Sequence, residues 1–103
     1  MSVVMVLRFK VEDIDKETLA KTHDEVAAKV NELGKSMGVI HHDIYYSAGT
    51  GEAVVIDEWP SAEDAEKFWS TDTFRSALGD AGMPPPAEVY VLERVEGNPS
   101  FRF

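Results

Sequence analysis

Three histidines are the side chains in this sequence best suited to acid–base chemistry, because an ordinary imidazole changes its charge near neutral pH. His23 falls in the apolar stripe of a predicted helix, where a neutral ring facing a pocket would serve as a general base. His41 and His42 are neighbours in a predicted strand, so their side chains point to opposite faces of the sheet. The structural alternative for each is a packed histidine with a hydrogen-bond partner.

The pattern of metal-ligating residue types does not predict a metal site. His41 shares a strand face with Asp43, and His42 shares the other with Tyr46, but a metal centre usually needs three protein ligands. The sequence contains no cysteine, which excludes disulfides, thiolate metal sites, iron–sulfur clusters and cysteine nucleophiles. We therefore expect neither a metal nor another cofactor.

Aromatic residues around the third predicted strand indicate a ligand pocket. Trp59 ends that strand, and Tyr45, Tyr46, Trp69 and Phe74 lie on neighbouring elements. Aromatic walls suit flat aromatic ligands, which they contact by stacking. We select Tyr46, Trp59, Trp69 and Phe74 as candidate substrate-binding residues, and the alternative is that these rings fill the core.

Other catalytic patterns are missing from the sequence. Asp57 and Glu58 are adjacent in a strand and lie on opposite faces, so they do not form a paired-carboxylate site. The sequence contains no glycine-rich phosphate loop and no Ser–His–Asp motif. The histidines and aromatics are thus the residues on which a functional prediction depends.

The hydrophobic periodicity predicts the order strand, helix, strand, strand, helix, strand. The first helix is expected to end at Leu33, with Gly34 as its stop signal, and the segment AGTGE predicts a hairpin between strands two and three. Ser61 and Asp64 match a capping box for the last helical region. This order is the split β-α-β motif repeated, so we predict an α+β, ferredoxin-like βαββαβ fold with a four-stranded antiparallel sheet.

The length of 103 residues predicts a single domain, which we assign to residues 1–96, followed by a tail at residues 97–103. Strands one, three and four are apolar on both faces. Because helices would cover only one face, the other needs a partner, and a second copy of the same sheet would supply it. We predict a homodimer with the sheets packed face to face, and both His41 and His42 remain candidates for the helix side.

The formal net charge of −9 argues against nucleic-acid binding, because phosphates would be repelled and no basic cluster offsets the acidity. No apolar segment approaches the roughly 20 residues of a membrane span. The first residues, MSVVMVLRFKV, read as a strand rather than a signal peptide. We expect a cytoplasmic protein that binds neither nucleic acid nor membrane.

The segment VVIDEWPSAEDAEKFWSTDTFRSAL resembles a known family. An acid–aromatic strand end leads into a capped helix, and a second helix begins near a Thr-x-x-Phe element. The sequence is similar over nearly its whole length to the dimeric α+β barrel superfamily, especially the antibiotic biosynthesis monooxygenase family. That family includes cofactor-free monooxygenases on aromatic polyketide-like substrates, haem-degrading enzymes and proteins with no known activity.

The sequence departs from the catalytic pattern of that family. Both well-understood catalytic types use a pocket asparagine, whereas Asn31 and Asn98 stand at other positions in this sequence. The haem-degrading type also uses a tryptophan, near the position of Phe68 or Trp69, and a histidine where Leu78 stands. Haem degradation is therefore disfavoured. The missing asparagine also weakens the monooxygenase prediction and favours a non-catalytic role.

The resemblance implies a small-molecule-binding dimeric α+β barrel that oxygenates an aromatic or polyketide-like substrate without a cofactor. His23 or His42 would remove a proton from a phenol-like or anthrone-like substrate, whose anion would react directly with oxygen. The aromatic candidates would hold the ring. The alternative is a non-catalytic ligand-binding or stress-response module of the same fold.

Overall fold

The computed structural model describes residues 2–95, so the predicted tail at residues 97–103 lies outside the described residues. The elements are β1 (Val3–Lys10), α1 (Lys16–Ser36), β2 (His41–Ser47), β3 (Glu52–Trp59), α2 (Ala62–Trp69), α3 (Asp72–Asp80) and β4 (Glu88–Glu93). This order confirms the predicted ferredoxin-like α+β fold. None of the helices in this part of the chain is long and apolar enough to cross a bilayer.

The four strands form one antiparallel sheet in the order β2-β3-β1-β4, which leaves β2 and β4 as its edges. A hairpin joins β2 to β3, and its turn contains Gly51 with a φ of 65°. An added Cβ at Gly51 would lie 3.0 Å from Glu12 Cγ and 3.2 Å from Glu12 Cα. The turn therefore needs glycine both for its left-handed backbone and for the close approach of Glu12.

The helices cover the sheet face that carries Met5, Leu7 and Phe9, and all three side chains are at most 1% exposed. Val3, Val55 and Trp59 extend this buried layer, which packs against Leu19, Val26 and Val30 of α1. Burial of this apolar surface is the main stabilising contribution to the fold. The structure thereby settles which face of the sheet meets the helices.

The opposite sheet face has no helix over it in the described chain. Val4, Val6, Val54 and Ile56 are only half-buried there, although all four are apolar. The edge strands add larger exposed side chains to the same face: Tyr45 is 55% exposed, Tyr90 40% and Leu92 51%. We call this surface, Val4, Val6, Tyr45, Val54, Ile56, Tyr90 and Leu92, the open face.

The predicted end of α1 at Gly34 is wrong. The helix continues to Ser36 and is capped at Met37, and the glycine with a left-handed φ of 99° is Gly38. Gly34 is instead a buried helical residue, and an added Cβ would lie 3.6 Å from Phe68 Cε1. Gly34 therefore lies within the helix, beside α2, and does not terminate it.

The predicted N-cap of α2 is confirmed, and a second N-cap divides the last helical region in two. Ser61 Oγ accepts a hydrogen bond from Asp64 N at 3.2 Å, which starts α2. Thr71 Oγ1 accepts one from Phe74 N at 3.2 Å, which starts α3. The break between the two helices turns Phe68 and Phe74 toward the same part of the core, where their ring centroids lie 5.0 Å apart.

Candidate functional site

A cavity of about 90 Å³ lies between α1 and the covered sheet face. Its walls are mostly aliphatic and aromatic, with contributions from β1, α1, β3, α2 and α3: Leu7, Phe9, Leu19, Val26, Val30, Val55, Phe68, Phe74 and Leu78. An apolar, concave lining of this kind suits a small hydrophobic ligand.

Polar side chains enter this lining at a few points only: His23, Asn31, His42 and Asp57, together with the indole of Trp59. Among the described residues that line the cavity there is no lysine or arginine. A ligand that carries a carboxylate or phosphate would therefore find no cation to pair with in the cavity, and burying an unpaired charge is costly.

Strand register places His42 and Asp57 together. The two residues lie directly opposite each other on β2 and β3, so their side chains point to the same face. His23 reaches them from α1, on whose same side Ala27 and Asn31 follow at intervals of four residues. The site thus depends on both the β2–β3 hairpin and the packing of α1 across the sheet.

Asp57, His42 and His23 form a continuous hydrogen-bonded row. Asp57 Oδ1 accepts a hydrogen bond from His42 Nδ1, and His42 Nε2 lies 2.6 Å from His23 Nε2. The two imidazole rings are nearly parallel, with an interplanar angle of 13° and centroids 4.9 Å apart. At this nitrogen–nitrogen distance one ring must donate and the other accept, so a single proton lies between the histidines.

The surroundings shift the pKa values of the two histidines in opposite directions. The hydrogen bond to Asp57 raises the pKa of His42, and the charges of Asp57 and Asp43 add to this effect against the cost of burial. Burial lowers the pKa of His23, and the charge of His42 lowers it further, although Asp24 opposes both. As the pH falls, the first added proton therefore resides on His42, beside Asp57.

Trp59 forms the inner wall of the cavity with its ring fully buried. Its ring centroid lies 5.0 Å from that of Phe68, which in turn packs on Phe74. Within the described chain, Trp59 Nε1 is buried and has no hydrogen-bond partner. A buried donor without a partner costs about 1–3 kcal/mol.

The other aromatic candidates stand behind the cavity wall. Tyr46 and Trp69 are not among the described residues that line the cavity. The Tyr46 hydroxyl donates to the Ile14 carbonyl at 3.3 Å. Trp69 meets Phe74 edge-on, with centroids 5.7 Å apart, and Arg75 lies over its ring. Among the candidates, His23, His42, Trp59 and Phe74 thus share one cavity.

His41 lies on the other side of the sheet, where His41 Nε2 contacts Asp43 Oδ2 at 2.7 Å. Both of these side chains are largely exposed. No group of three or more His, Cys, Asp or Glu residues in the described chain is arranged to hold a metal ion. His41 and His42 therefore lie in different environments on opposite sides of the sheet.

The sequence-based selection missed Asp57 and Asn31. Asp57 does not form a paired-carboxylate site with Glu58, but its side chain is 5% exposed and hydrogen-bonded to His42. The hairpin register carries the signal, because a four-residue turn at 48–51 pairs Ser47 with Glu52 and, five positions further along each strand, His42 with Asp57. Asn31 was set aside by comparison with the family pattern, but its spacing of eight residues from His23 places both on one side of α1.

No protein-family model and no curated protein sequence matches this chain, whereas solved structures match it over nearly its full length. Rv0793 from Mycobacterium tuberculosis is 18% identical, with a TM-score of 0.64 and coverage of 94% of this chain and 98% of that one. A proposed antibiotic biosynthesis monooxygenase from Caulobacter crescentus CB15 is 23% identical, with a TM-score of 0.66 and coverage of 92% and 91%.

SnoaB, a cofactor-independent oxygenase from Streptomyces nogalater, is also similar in structure. It is 15% identical, with a TM-score of 0.62 and coverage of 96% of this chain and 98% of that one. At these identities the similarity establishes a common fold and no activity. The chain has the ferredoxin-like α+β fold of antibiotic biosynthesis monooxygenase-like proteins, as the sequence resemblance implied.

Proposed function

We propose that this protein binds a small aromatic or polyketide-like molecule in the cavity and oxygenates it without a cofactor. The observation that carries the proposal is the Asp57–His42–His23 row at the edge of an otherwise apolar cavity. A neutral base beside a hydrophobic binding space is what proton removal from a weakly acidic, uncharged substrate requires. The shared fold with SnoaB, a cofactor-independent oxygenase, agrees with this chemistry.

The reaction would begin when the histidine pair takes a proton from the substrate. The resulting carbanion, which a phenol-like or anthrone-like ring stabilises, gives electrons to dioxygen and forms a carbon–oxygen bond. The peroxide anion takes a proton back from the histidine pair. Loss of a second C–H proton then cleaves the O–O bond, so one oxygen atom remains as a carbonyl and the other leaves as water.

The aromatic residues would orient the substrate ring. Trp59 and Phe74 are wall residues, against which a flat ring would pack. Tyr46 and Trp69 would support the cavity wall without lining the cavity. Trp69 packs edge-on against Phe74, and the Tyr46 hydroxyl is hydrogen-bonded to the Ile14 carbonyl. The unpartnered Trp59 N–H adds a polar group to a region that is otherwise apolar.

We propose that the protein is a homodimer joined through the open face, with residues 1–96 as the folding unit. The open face is apolar in its centre, and exposing that much contiguous apolar surface is unusual for a monomer. At its margin Arg8 pairs with Glu52 at 2.5 Å and with Glu88 at 2.9 Å. Because Arg8 is already paired within the subunit, it would not enter the interface as an unpaired cation.

Oxygen uptake tests the enzymatic proposal. Metal-free protein would be offered a panel of anthrones, hydroquinones and catechols, alongside His23→Gln and Trp59→Phe variants. His41→Gln is the matched control, because this histidine lies on the opposite side of the sheet. We expect uptake by the wild type and the control, with a loss of at least about 100-fold in His23→Gln, the low end of what general-base catalysis contributes.

Turnover that survives in a double His23→Gln, His42→Gln variant would contradict the proposed base. If the wild type binds members of the panel, shown by quenching of tryptophan fluorescence, yet consumes no oxygen, the protein is a binding module of the same fold. That outcome would reject oxygenation and retain the small-molecule site.

A further inference from the structure

Asp57 is the one carboxylate within the cavity lining of the described chain, and the proposed mechanism gives it no role of its own. Its side chain is 5% exposed, compared with 41% for His42 and 22% for His23. A carboxylate this deeply buried is costly unless its charge is compensated. The hydrogen bond from His42 Nδ1 offsets part of this cost.

The hydrogen bonds fix where protons can reside along the row. With Asp57 ionised, His42 must carry its proton on Nδ1 in order to donate, which leaves His42 Nε2 as an acceptor. The 2.6 Å contact then requires His23 to donate from its own Nε2. In the neutral pair the nitrogen left without a proton is therefore His23 Nδ1.

We propose that Asp57 is a positioning residue that fixes the tautomer of His42 and so makes His23 Nδ1 the atom that accepts the proton of the substrate. This inference rests on the proposed function and assigns the chemistry to one atom of the site. His23 is then the catalytic base, and His42 acts through it.

Proton transfer along the row would take two steps. The substrate C–H or O–H bond breaks, and its proton binds to His23 Nδ1 while the electron pair stays on the substrate. The proton on His23 Nε2 crosses to His42 Nε2 over the 2.6 Å contact. The positive charge then lies on His42, beside the Asp57 carboxylate, and the return of the proton reverses the same path.

Three carboxylates surround the row, one from each element that contributes to it. Asp57 of β3 bonds His42, and Asp43 of β2 acts on His42 by its charge while it contacts His41. Asp24 of α1 lies 3.8 Å from His23 Nδ1, beyond hydrogen-bonding distance, and is 85% exposed. The charge of Asp24 would therefore favour a proton on His23 Nδ1, although Asp24 is not hydrogen-bonded to that nitrogen.

Nitrogen-15 NMR of the histidine side chains tests the assignment without any need for turnover. In the wild type at pH 8 we expect His42 as the Nδ1–H tautomer and His23 as the Nε2–H tautomer. Asp57→Asn should lower the pH midpoint of His42 and mix its tautomers. Asp43→Asn, which removes a nearby carboxylate outside the row, should keep the tautomer of His42.

The reverse tautomers in the wild type would overturn the assignment, as would an Asp57→Asn protein in which the titration of His42 is unchanged. If Asp57→Asn does not fold, His23→Gln replaces it, and His42 should keep its Nδ1 proton there. The expected tautomers together with no oxygen uptake would reject the proposed function and support the role of Asp57 in fixing His42.

Discussion

Val6 and Tyr90 lie directly opposite each other on β1 and β4, in the middle of the open face. On its other side Val6 is paired with Ile56 of β3, so three apolar side chains run across adjacent strands there. Tyr90 remains 40% exposed. Cross-strand apolar rows of this kind usually lie under a covering layer, because water contact forfeits the free energy that their burial would provide.

A charge placed on the open face should prevent dimer formation. We expect Leu92→Glu to be monomeric in sedimentation-velocity measurements at a concentration where the wild type is dimeric, because its carboxylate would be buried without a partner. The control is Ile40→Glu, since Ile40 is 55% exposed and Leu92 51%, but Ile40 precedes β2 on the helix side. A monomeric wild type, or a Leu92→Glu dimer, would contradict the proposed interface.

Replacing His42 and replacing His23 should change the pH dependence of the unfolding free energy in opposite directions. The raised pKa of His42 stabilises the fold at acidic pH, and this contribution is lost as the pH rises through its folded-state pKa. The lowered pKa of His23 destabilises the fold as the pH falls below its ordinary value of 6.5.

Urea unfolding at pH 5.5 and pH 8 measures these effects. His42→Gln should lose more unfolding free energy at pH 5.5 than at pH 8, whereas His23→Gln should lose less at pH 5.5. His41→Gln serves as the control from outside the row. Parallel pH profiles for His42→Gln and His23→Gln would show that the two rings are not coupled through Asp57 and each other.

Gly34→Ala should stabilise the protein by about 0.5–1 kcal/mol, because alanine loses less backbone entropy than glycine in a helix. The added methyl would meet Val39 Cγ1 at 3.4 Å and Phe68 Cε1 at 3.6 Å, which are ordinary contact distances. Gly79→Ala in α3 is the matched control, since its added methyl would contact nothing within 4 Å. Chemical denaturation of both variants separates helix propensity from packing, and a destabilised Gly34→Ala alone would mean that α1 and α2 cannot accept a methyl.

Thr71→Ala should lower the unfolding free energy by about 1 kcal/mol, because it removes the N-cap of α3. The same hydroxyl also donates to the Phe68 carbonyl at 2.8 Å, which ties the ends of α2 and α3 together. Thr73→Ala is the control, because Thr73 is the second residue of the same helix and not its cap. This substitution should be neutral or slightly stabilising. Equal losses in the two variants would argue against a capping role.

The fold could be predicted from the sequence because its signals are local. Strand alternation, the AGTGE turn and the caps at Ser61 and Thr71 each act over a few residues. The end of α1 could not be placed, because Gly34 and Gly38 are both possible stop signals in the sequence. The backbone distinguishes them, since Gly38 has the left-handed φ of 99° and Gly34 is helical.

The candidate site was less accessible to sequence reasoning, because it depends on contacts between elements. His23 and His42 are 19 positions apart, and their 2.6 Å contact follows from the angle at which α1 crosses the sheet. No periodicity encodes that angle. The link between His42 and Asp57, in contrast, follows from hairpin register and could have been recognised once the turn was placed.

In the described chain, the order β2-β3-β1-β4 leaves β2 and β4 as edge strands, and edge strands can recruit other chains into aggregates. On β4, the apolar run from Val89 to Leu92 is bounded by Glu88 and Glu93, whose charges oppose the stacking of one β4 on another. Neutral replacements of these two carboxylates would remove that repulsion. A Glu88→Gln, Glu93→Gln protein should therefore lose solubility through self-association along this edge.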